Sequence, residues 1–121
     1  MMLLDSNIFI YALQPEYSKL RSWFAANDIS ASSITLLEVL GYHKLNDMDK
    51  KDYKELFACT EIVPVSQTII ETAINLRQQK KMSLGDSIIA STAIVHKKTL
   101  VTRNIKDFSW IEKINIYNPM D

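Results

Sequence analysis

Short apolar runs alternate with longer amphipathic stretches along the whole chain, and this alternation leaves few folds open. Strand-length apolar runs are predicted at 1–4, 29–32, 61–65, 99–102 and 114–117. Helical spacing is predicted over 8–13, 16–26, 34–44, from the polar stretch 46–52 to about 60, over 66–81 and over 84–96. Such alternation predicts an α/β fold built from right-handed β–α–β units. Its mainly parallel sheet of about five strands would carry helices on both faces.

Composition narrows the class of protein further. The chain has 121 residues, enough for one domain spanning 1–121, and its 14 basic residues balance its 14 acidic ones, which excludes a strongly basic nucleic-acid coat. The two glycines, Gly41 and Gly85, cannot form a glycine-rich phosphate loop. The single Cys59 excludes an intramolecular disulfide and is expected in the core. No apolar run approaches the roughly 20 residues of a membrane span, so we expect a cytoplasmic protein without membrane contact.

The carboxyl ends of the predicted strands are the places to look for chemistry, because ligands of parallel sheets bind there. Asp5 directly follows the first strand. It could simply cap the next helix, since aspartate is a favoured N-cap residue, or it could be a functional acid. The fourth strand leads into Thr102, Arg103, Asn104 and Asp107.

Glu38 is harder to explain as an ordinary surface residue. It lies within the helical stretch 34–40, which is too apolar to offer it a fully solvated face. Burying an unpaired carboxylate costs several kcal/mol, so such groups are usually paired, protonated or bound to a metal. The structural alternatives are a glutamate at the edge of the apolar stripe or one paired with a nearby lysine.

Two further acids have good structural explanations when each is considered alone. Ser83 and Asp86 have the spacing of a helix capping box, and an acid in the first helical turn suits the helix dipole. Asp107 could cap a short helix over 108–112. Taken with Asp5 and Glu38, however, these acids could meet at one end of the sheet.

A cluster of four carboxylates would need a cation, because like charges raise one another's pKa and repel. An all-oxygen ligand set without Cys or His favours a hard ion, Mg²⁺ or Mn²⁺. Such an ion can orient a water and stabilise charge that develops on a phosphoryl oxygen. Ser6, Thr102 and Asn104 would add neutral oxygens in supporting positions.

Four segments of the sequence resemble the signature blocks of PIN-domain nucleases, and among these the VapC-type toxins of toxin–antitoxin pairs. The segments are 3–11, 33–41, 84–90 and 100–108, and they contain Asp5, Glu38, Asp86 and Asp107 in that order. The resemblance spans essentially the whole chain. It implies a PIN-like three-layer α/β/α fold, RNA cleavage that depends on Mg²⁺ or Mn²⁺, a homodimer, and inhibition by a cognate antitoxin.

The resemblance also implies roles for individual residues. Asp5, Glu38 and Asp86 match the three core acids of the family, which are catalytic and bind metal. Many PIN domains carry an aspartate two residues after the threonine, where this chain has Asn104. Because the Thr-x-Asn-x-x-Asp-Phe pattern is itself similar to VapC-like members, Asp107 is assigned as the fourth acid and Asn104 as a supporting residue.

An RNA substrate needs local basic groups, since the chain as a whole is neutral. Arg103 and Lys106 lie within the fourth motif, and Lys80 and Lys81 precede Asp86. These side chains are candidates for phosphate contacts, and their alternative is ordinary solvated surface.

Two other functions remain open at this point. A PIN-like scaffold could act by binding protein or RNA without catalysis, although such a protein would be expected to lack one of the core acids. A phosphatase or receiver domain of another doubly wound family would also carry an acidic pocket. The Asp5-Ser6-Asn7 sequence, however, is not the Asp-x-Asp of a haloacid-type phosphatase.

Overall fold

A five-stranded, fully parallel sheet forms the centre of the computed structural model, which describes residues 1–120. The strand order across the sheet is β3-β2-β1-β4-β5. The strands are β1 (Met2–Leu4), β2 (Ile29–Ser32), β3 (Glu61–Val63), β4 (Thr99–Val101) and β5 (Ile116–Tyr117). The predicted parallel sheet of five strands is therefore confirmed.

Seven α-helices cover the two faces of the sheet within the described residues. They are α1 (Ser6–Ala12), α2 (Ser18–Ala26), α3 (Ser33–Leu40), α4 (Asp47–Ala58), α5 (Gln67–Gln79), α6 (Leu84–Val95) and α7 (Ile105–Phe108). A 3₁₀ turn over Pro15–Tyr17 precedes α2, because proline suits the first position of a helical turn. The three-layer α/β/α arrangement is confirmed.

The two layers of core follow from the alternation of side chains along each strand. Leu4 and Val101 face a cluster that also contains Phe9 of α1 and residues of α2, α3 and α4. Their neighbours Leu3 and Leu100 face the opposite cluster, which contains residues of α5 and α6. Helix α6 is buried along much of its length, as its nearly continuous apolar sequence predicts.

Several predicted boundaries are corrected by local interactions. The helix predicted over 34–44 ends at Leu40, where Gly41 takes the C-cap position. Its N-cap is Ser32, whose side chain accepts the Ile34 backbone N–H at 3.2 Å, and Ser33 is already helical. The proposed cap role of Asp107 is wrong, because α7 covers 105–108 and includes Asp107. Cys59 is exposed at the C-cap of α4 and does not lie in the core.

The sheet topology marks one edge as the place for a site. From β1 the chain moves outward to β2 and β3, then crosses back to add β4 and β5 on the other side of β1. The strand order therefore reverses between β1 and β4, and a crevice is expected outside their carboxyl ends. Asp5 and Thr102 are the residues that follow these two strands. None of the helices within residues 1–120 has the length and apolar character needed to cross a membrane.

Candidate active site

Asp5 is held from the β4 side of the crevice. Its backbone N–H donates to the Val101 carbonyl at 2.9 Å, which continues the pairing of β1 with β4. Its carboxylate accepts the Thr102 hydroxyl at 2.9 Å, and that hydroxyl accepts the Asn104 backbone N–H at 3.0 Å. Asp5 stands at the N-cap of α1 but makes no side-chain cap hydrogen bond. Asp5 thus occupies the predicted N-cap position, but its carboxylate bonds to Thr102 and makes no side-chain cap of the helix.

The surroundings of Asp5 make its ionised form costly. Its side chain is only 4% exposed, and this burial is the main reason why the pKa of Asp5 rises from 3.8 to about 6. The Thr102 hydroxyl opposes the rise, because a donor stabilises the ionised carboxylate. The negative charges of Asp86 and Glu38 add to it. A nearby cation would therefore stabilise the ionised form of the Asp5 carboxylate.

Glu38 is positioned by two hydroxyl groups in series. The Ser6 hydroxyl donates to Glu38 Oε1 at 2.7 Å, and it lies 2.9 Å from the Thr35 hydroxyl. Since a hydroxyl has one proton to donate, Thr35 donates to Ser6. The expectation that the apolar helix would hide Glu38 is wrong, because its side chain is exposed. Thr35 was not found by sequence reasoning, although its i, i+3 spacing to Glu38 puts both residues on one face of α3.

Gly85 allows α6 to approach Glu38 closely. A Cβ atom at position 85 would lie 2.6 Å from Glu38 Oε2 and 3.1 Å from the carboxyl carbon. Any side chain at this position would push the carboxylate away. The sequence singled out Gly85 only as one of two glycines, since nothing local to it reveals that α3 passes nearby.

Asp86 has both a structural and an electrostatic role. Its backbone N–H donates to the Ser83 hydroxyl at 3.1 Å, so the predicted cap of α6 is confirmed. The pKa of Asp86 is raised, chiefly by partial burial and next by the charge of Asp107, while the Ser83 hydrogen bond lowers it. Glu38 adds a smaller repulsion. The capping role and a place in the acidic cluster are thus compatible.

The four predicted acids form one electrostatically connected group. Asp86 interacts with Asp5, Glu38 and Asp107, and Asp5 also interacts with Glu38. Asp107 is exposed on α7, at the edge of the group. We call these four residues the acidic centre. Within residues 1–120, no three His, Cys, Asp or Glu side chains already form a metal-binding group.

Two of the basic residues predicted to contact RNA adjoin this centre along the chain, Arg103 after Thr102 and Lys106 before Asp107. Arg103 and Lys106 are exposed, with Lys106 on α7 beside Asp107. The Arg103 guanidinium lies over the Tyr11 ring, 5.1 Å from its centroid. Lys80 is the C-cap residue of α5, and its ammonium group lies over the Trp110 ring, 5.7 Å from its centroid.

Replacing Thr102 with valine is expected to raise the pKa of Asp5 above its value of about 6. The change removes the hydroxyl that stabilises the ionised carboxylate, and a hydrogen bond to a charged group contributes about 1.5–3 kcal/mol. NMR titration of the Asp5 carboxyl carbon in metal-free protein measures the shift. Thr72→Val is the control, since the Thr72 hydroxyl bonds only to the Thr68 carbonyl of its own helix. An unchanged pKa in Thr102→Val would contradict this account of the bond.

Comparison with known proteins agrees with this fold. A family model described as PIN domain matches residues 2–113. Ribonuclease VapC2 of Rickettsia felis is 31% identical over 128 aligned positions, covering 96% of each chain. A toxin-antitoxin complex from Klebsiella pneumoniae superposes with a TM-score of 0.79 at 30% identity over 98% of each chain. VapBC2 from Rickettsia felis, bound to a DNA fragment from its promoter, gives 0.79 at 29% identity over 97% of each chain.

Proposed function

The chain belongs to the PIN-domain family as a VapC-type toxin, and on this premise we propose that it is a divalent-metal-dependent endoribonuclease. The observation that carries the proposal is the acidic centre, which lies where the strand order of the parallel sheet reverses. The relative at 31% identity is named a ribonuclease. The proposed reaction is hydrolysis of RNA phosphodiester bonds, which would occur in the cytoplasm.

The chemistry of the acidic centre fits Mg²⁺ or Mn²⁺. Asp5, Glu38, Asp86 and Asp107 supply only oxygen donors, which hard divalent ions prefer. The raised pKa values of Asp5 and Asp86 reflect burial and mutual repulsion, both of which a cation would offset. Asp107 is exposed, so its side chain can rotate toward an ion that Glu38, already held by Ser6, would share. A bound divalent ion would supply Lewis acidity and a counter-charge for the phosphoryl oxygens.

The protein groups around the acids would orient them for this reaction. Thr102 fixes one oxygen of Asp5, and Ser6 fixes one oxygen of Glu38. The Asn104 backbone N–H in turn holds the Thr102 hydroxyl. Fixing a carboxylate in this way lowers the reorganisation needed when a substrate phosphate arrives. Lys106, exposed beside Asp107, would contact a phosphate of the bound strand.

Metal-dependent cleavage of total RNA is the direct test of this function. The expected result is cleavage with Mg²⁺ or Mn²⁺ that stops when EDTA removes the metal. A folded protein that neither binds Mn²⁺ nor cleaves RNA would instead support an inactive PIN-like scaffold.

A cognate antitoxin is the proposed protein partner and inhibitor. The solved relative from Klebsiella pneumoniae is described as a toxin-antitoxin complex, and the one from Rickettsia felis as VapBC2. Co-purification with the protein encoded alongside it, followed by the RNA cleavage assay with and without that protein, would test inhibition.

A homodimer is proposed from exposed apolar side chains next to the acidic centre. Leu37 is 68% exposed on α3 and Leu84 is 64% exposed at the start of α6. They flank Glu38 and Gly85, which are in close approach, so the two leucines belong to one region of the surface. Large apolar side chains grouped on a surface commonly mark a protein interface.

Leu37→Glu is expected to convert a dimer into a monomer, because it would place a charge in the core of the proposed interface. Light scattering coupled to size-exclusion chromatography measures the mass. Met48→Glu is the matched control, since Met48 is 76% exposed on α4, away from Leu37 and Leu84 in sequence. A wild-type monomer, or a variant that remains dimeric, would refute this interface.

A further inference from the structure

Arg103 is held against two tyrosines beside the acidic centre. It directly follows Thr102, the residue that donates to Asp5. Its guanidinium carbon lies 5.1 Å from the Tyr11 ring centroid and 5.9 Å from that of Tyr17. Its Nη1 also donates to the Tyr17 hydroxyl at 3.2 Å. An exposed arginine with three such contacts has lost much of the freedom of an ordinary surface side chain.

The two tyrosines are themselves fixed by the fold. Their ring centroids are 5.4 Å apart with an interplanar angle of 71°, an edge-to-face arrangement. Both rings are half-buried and pack against the core cluster on the α1 face of the sheet. Tyr11 comes from α1 and Tyr17 from the 3₁₀ turn. The arginine is therefore oriented by parts of the chain remote from it in sequence.

Within the described residues 1–120, no carboxylate forms an ion pair with Arg103. Across residues 1–120, the ion pair within 4 Å is Lys98 with Glu61, on the opposite edge of the sheet. The described contacts of Arg103 are to aromatic rings and a phenol, which leave guanidinium N–H groups available. A planar guanidinium with free N–H groups matches the two oxygens of a phosphodiester.

We propose that Arg103, positioned by Tyr11 and Tyr17, forms a preorganised clamp for a phosphate of the RNA strand next to the scissile bond. We call these three residues the arginine clamp. The inference rests on the proposed nuclease function and adds a binding site to it. An RNA strand fits this site better than an acidic peptide does, because a strand bound at the neighbouring acidic centre would carry its next phosphates past Arg103. Tyr11 and Tyr17 are positioning residues, and Arg103 makes the contact.

Fluorescence anisotropy with a labelled single-stranded RNA of about 12 nucleotides and random sequence tests the clamp. EDTA is present so that the RNA stays intact, and the salt concentration is varied between about 50 and 200 mM. Arg103→Ala is expected to weaken binding about tenfold and to make the log–log salt dependence shallower by about 0.7, the value for one phosphate contact on a single strand. Arg103→Lys should recover only part of the affinity, since lysine keeps the charge but not the planar fork.

Tyr17→Leu distinguishes positioning from contact. It removes the hydrogen bond and one ring but leaves the arginine, so we expect a loss of about threefold with most of the salt dependence retained. Lys54→Ala is the charge-matched control, because exposed Lys54 lies in the last turns of α4, which lead to the amino end of β3. The affinity of this control should equal that of the wild type.

Three results would overturn the clamp. The first is an Arg103→Ala variant that binds RNA as tightly as the wild type but has a lower melting temperature. Arg103 would then only stabilise the fold through its contacts with the two tyrosines. The second is full recovery by Arg103→Lys, and the third is Arg103-dependent binding of a labelled polyglutamate peptide without binding of RNA. If the wild type still cleaves RNA in a metal-dependent way when one of these results is found, the proposed nuclease function stands and only the arginine clamp is refuted.

Discussion

Asp5→Asn is expected to reduce metal-dependent RNA cleavage by about 100-fold or more while making the metal-free protein more stable. The amide removes the most buried charge of the acidic centre, so the proposed divalent ion would lose one of its anionic donors. The fold should persist, because the asparagine carbonyl can still accept the Thr102 hydroxyl. Stability should rise because a buried charge that is costly to ionise has been removed.

Calorimetric titration with Mn²⁺, RNA cleavage and urea unfolding together test this prediction. Asp28→Asn is the matched control, since Asp28 is exposed just before the amino end of β2, on the edge of the sheet away from the acidic centre. It should bind Mn²⁺ and cleave RNA as the wild type does. RNA cleavage at the wild-type rate by Asp5→Asn would contradict the assignment of Asp5 as a catalytic residue. A rise in stability without any loss of Mn²⁺ binding would remove Asp5 from the metal site.

The free energy of unfolding of the metal-free protein is expected to fall as the pH rises from about 4 to about 6. In this range folded Asp5 keeps its proton, with a pKa of about 6, whereas the unfolded chain loses it near 3.8. The folded state then binds more protons than the unfolded state, so stability is highest below 3.8 and is lost through pH 6. The contribution is at most about 3 kcal/mol. Asp86 adds to it with the same sign, because its pKa is also raised.

Urea unfolding in EDTA at a series of pH values measures this dependence. Other carboxylates titrate in the same range, so the informative quantity is the difference between the wild type and Asp5→Asn, which should grow between pH 4 and 6. Above pH 6, Mn²⁺ at about 100 times its dissociation constant should restore about 2.7 kcal/mol to the wild type. A difference that is flat with pH would mean that Asp5 is not held in a costly ionised state.

The location of the acidic centre could be predicted from sequence, but its internal contacts could not. Asp5 and Thr102 follow apolar strands, and a parallel sheet brings strand ends to one edge. The bond between them joins residues 97 positions apart, and the Ser6–Glu38 bond joins residues 32 apart. Such contacts depend on how the helices pack on the sheet, and the residues near each partner in the sequence do not indicate that packing.

Boundary errors had a similar cause. Strand 29–32 was predicted with its observed bounds because its apolar run is short and bordered by polar residues. The helix over 34–44 was predicted too long, since its residues continue a helical pattern past Gly41 and only the folded chain shows where it turns. The 3₁₀ turn before α2 was likewise merged into the helix that follows it.

The sequence by itself determined the parallel α/β fold and the buried α6 helix, and it predicted that four acids could meet at one end of the sheet, because periodicity and strand ends are local properties of the chain. Only the tertiary structure decided how those acids are held. The Thr35–Ser6–Glu38 series, the close approach of Gly85 and the placing of Arg103 on Tyr11 and Tyr17 each join separate elements. These contacts exist because packing brings distant side chains within hydrogen-bonding or van der Waals distance, and a linear pattern does not record that distance.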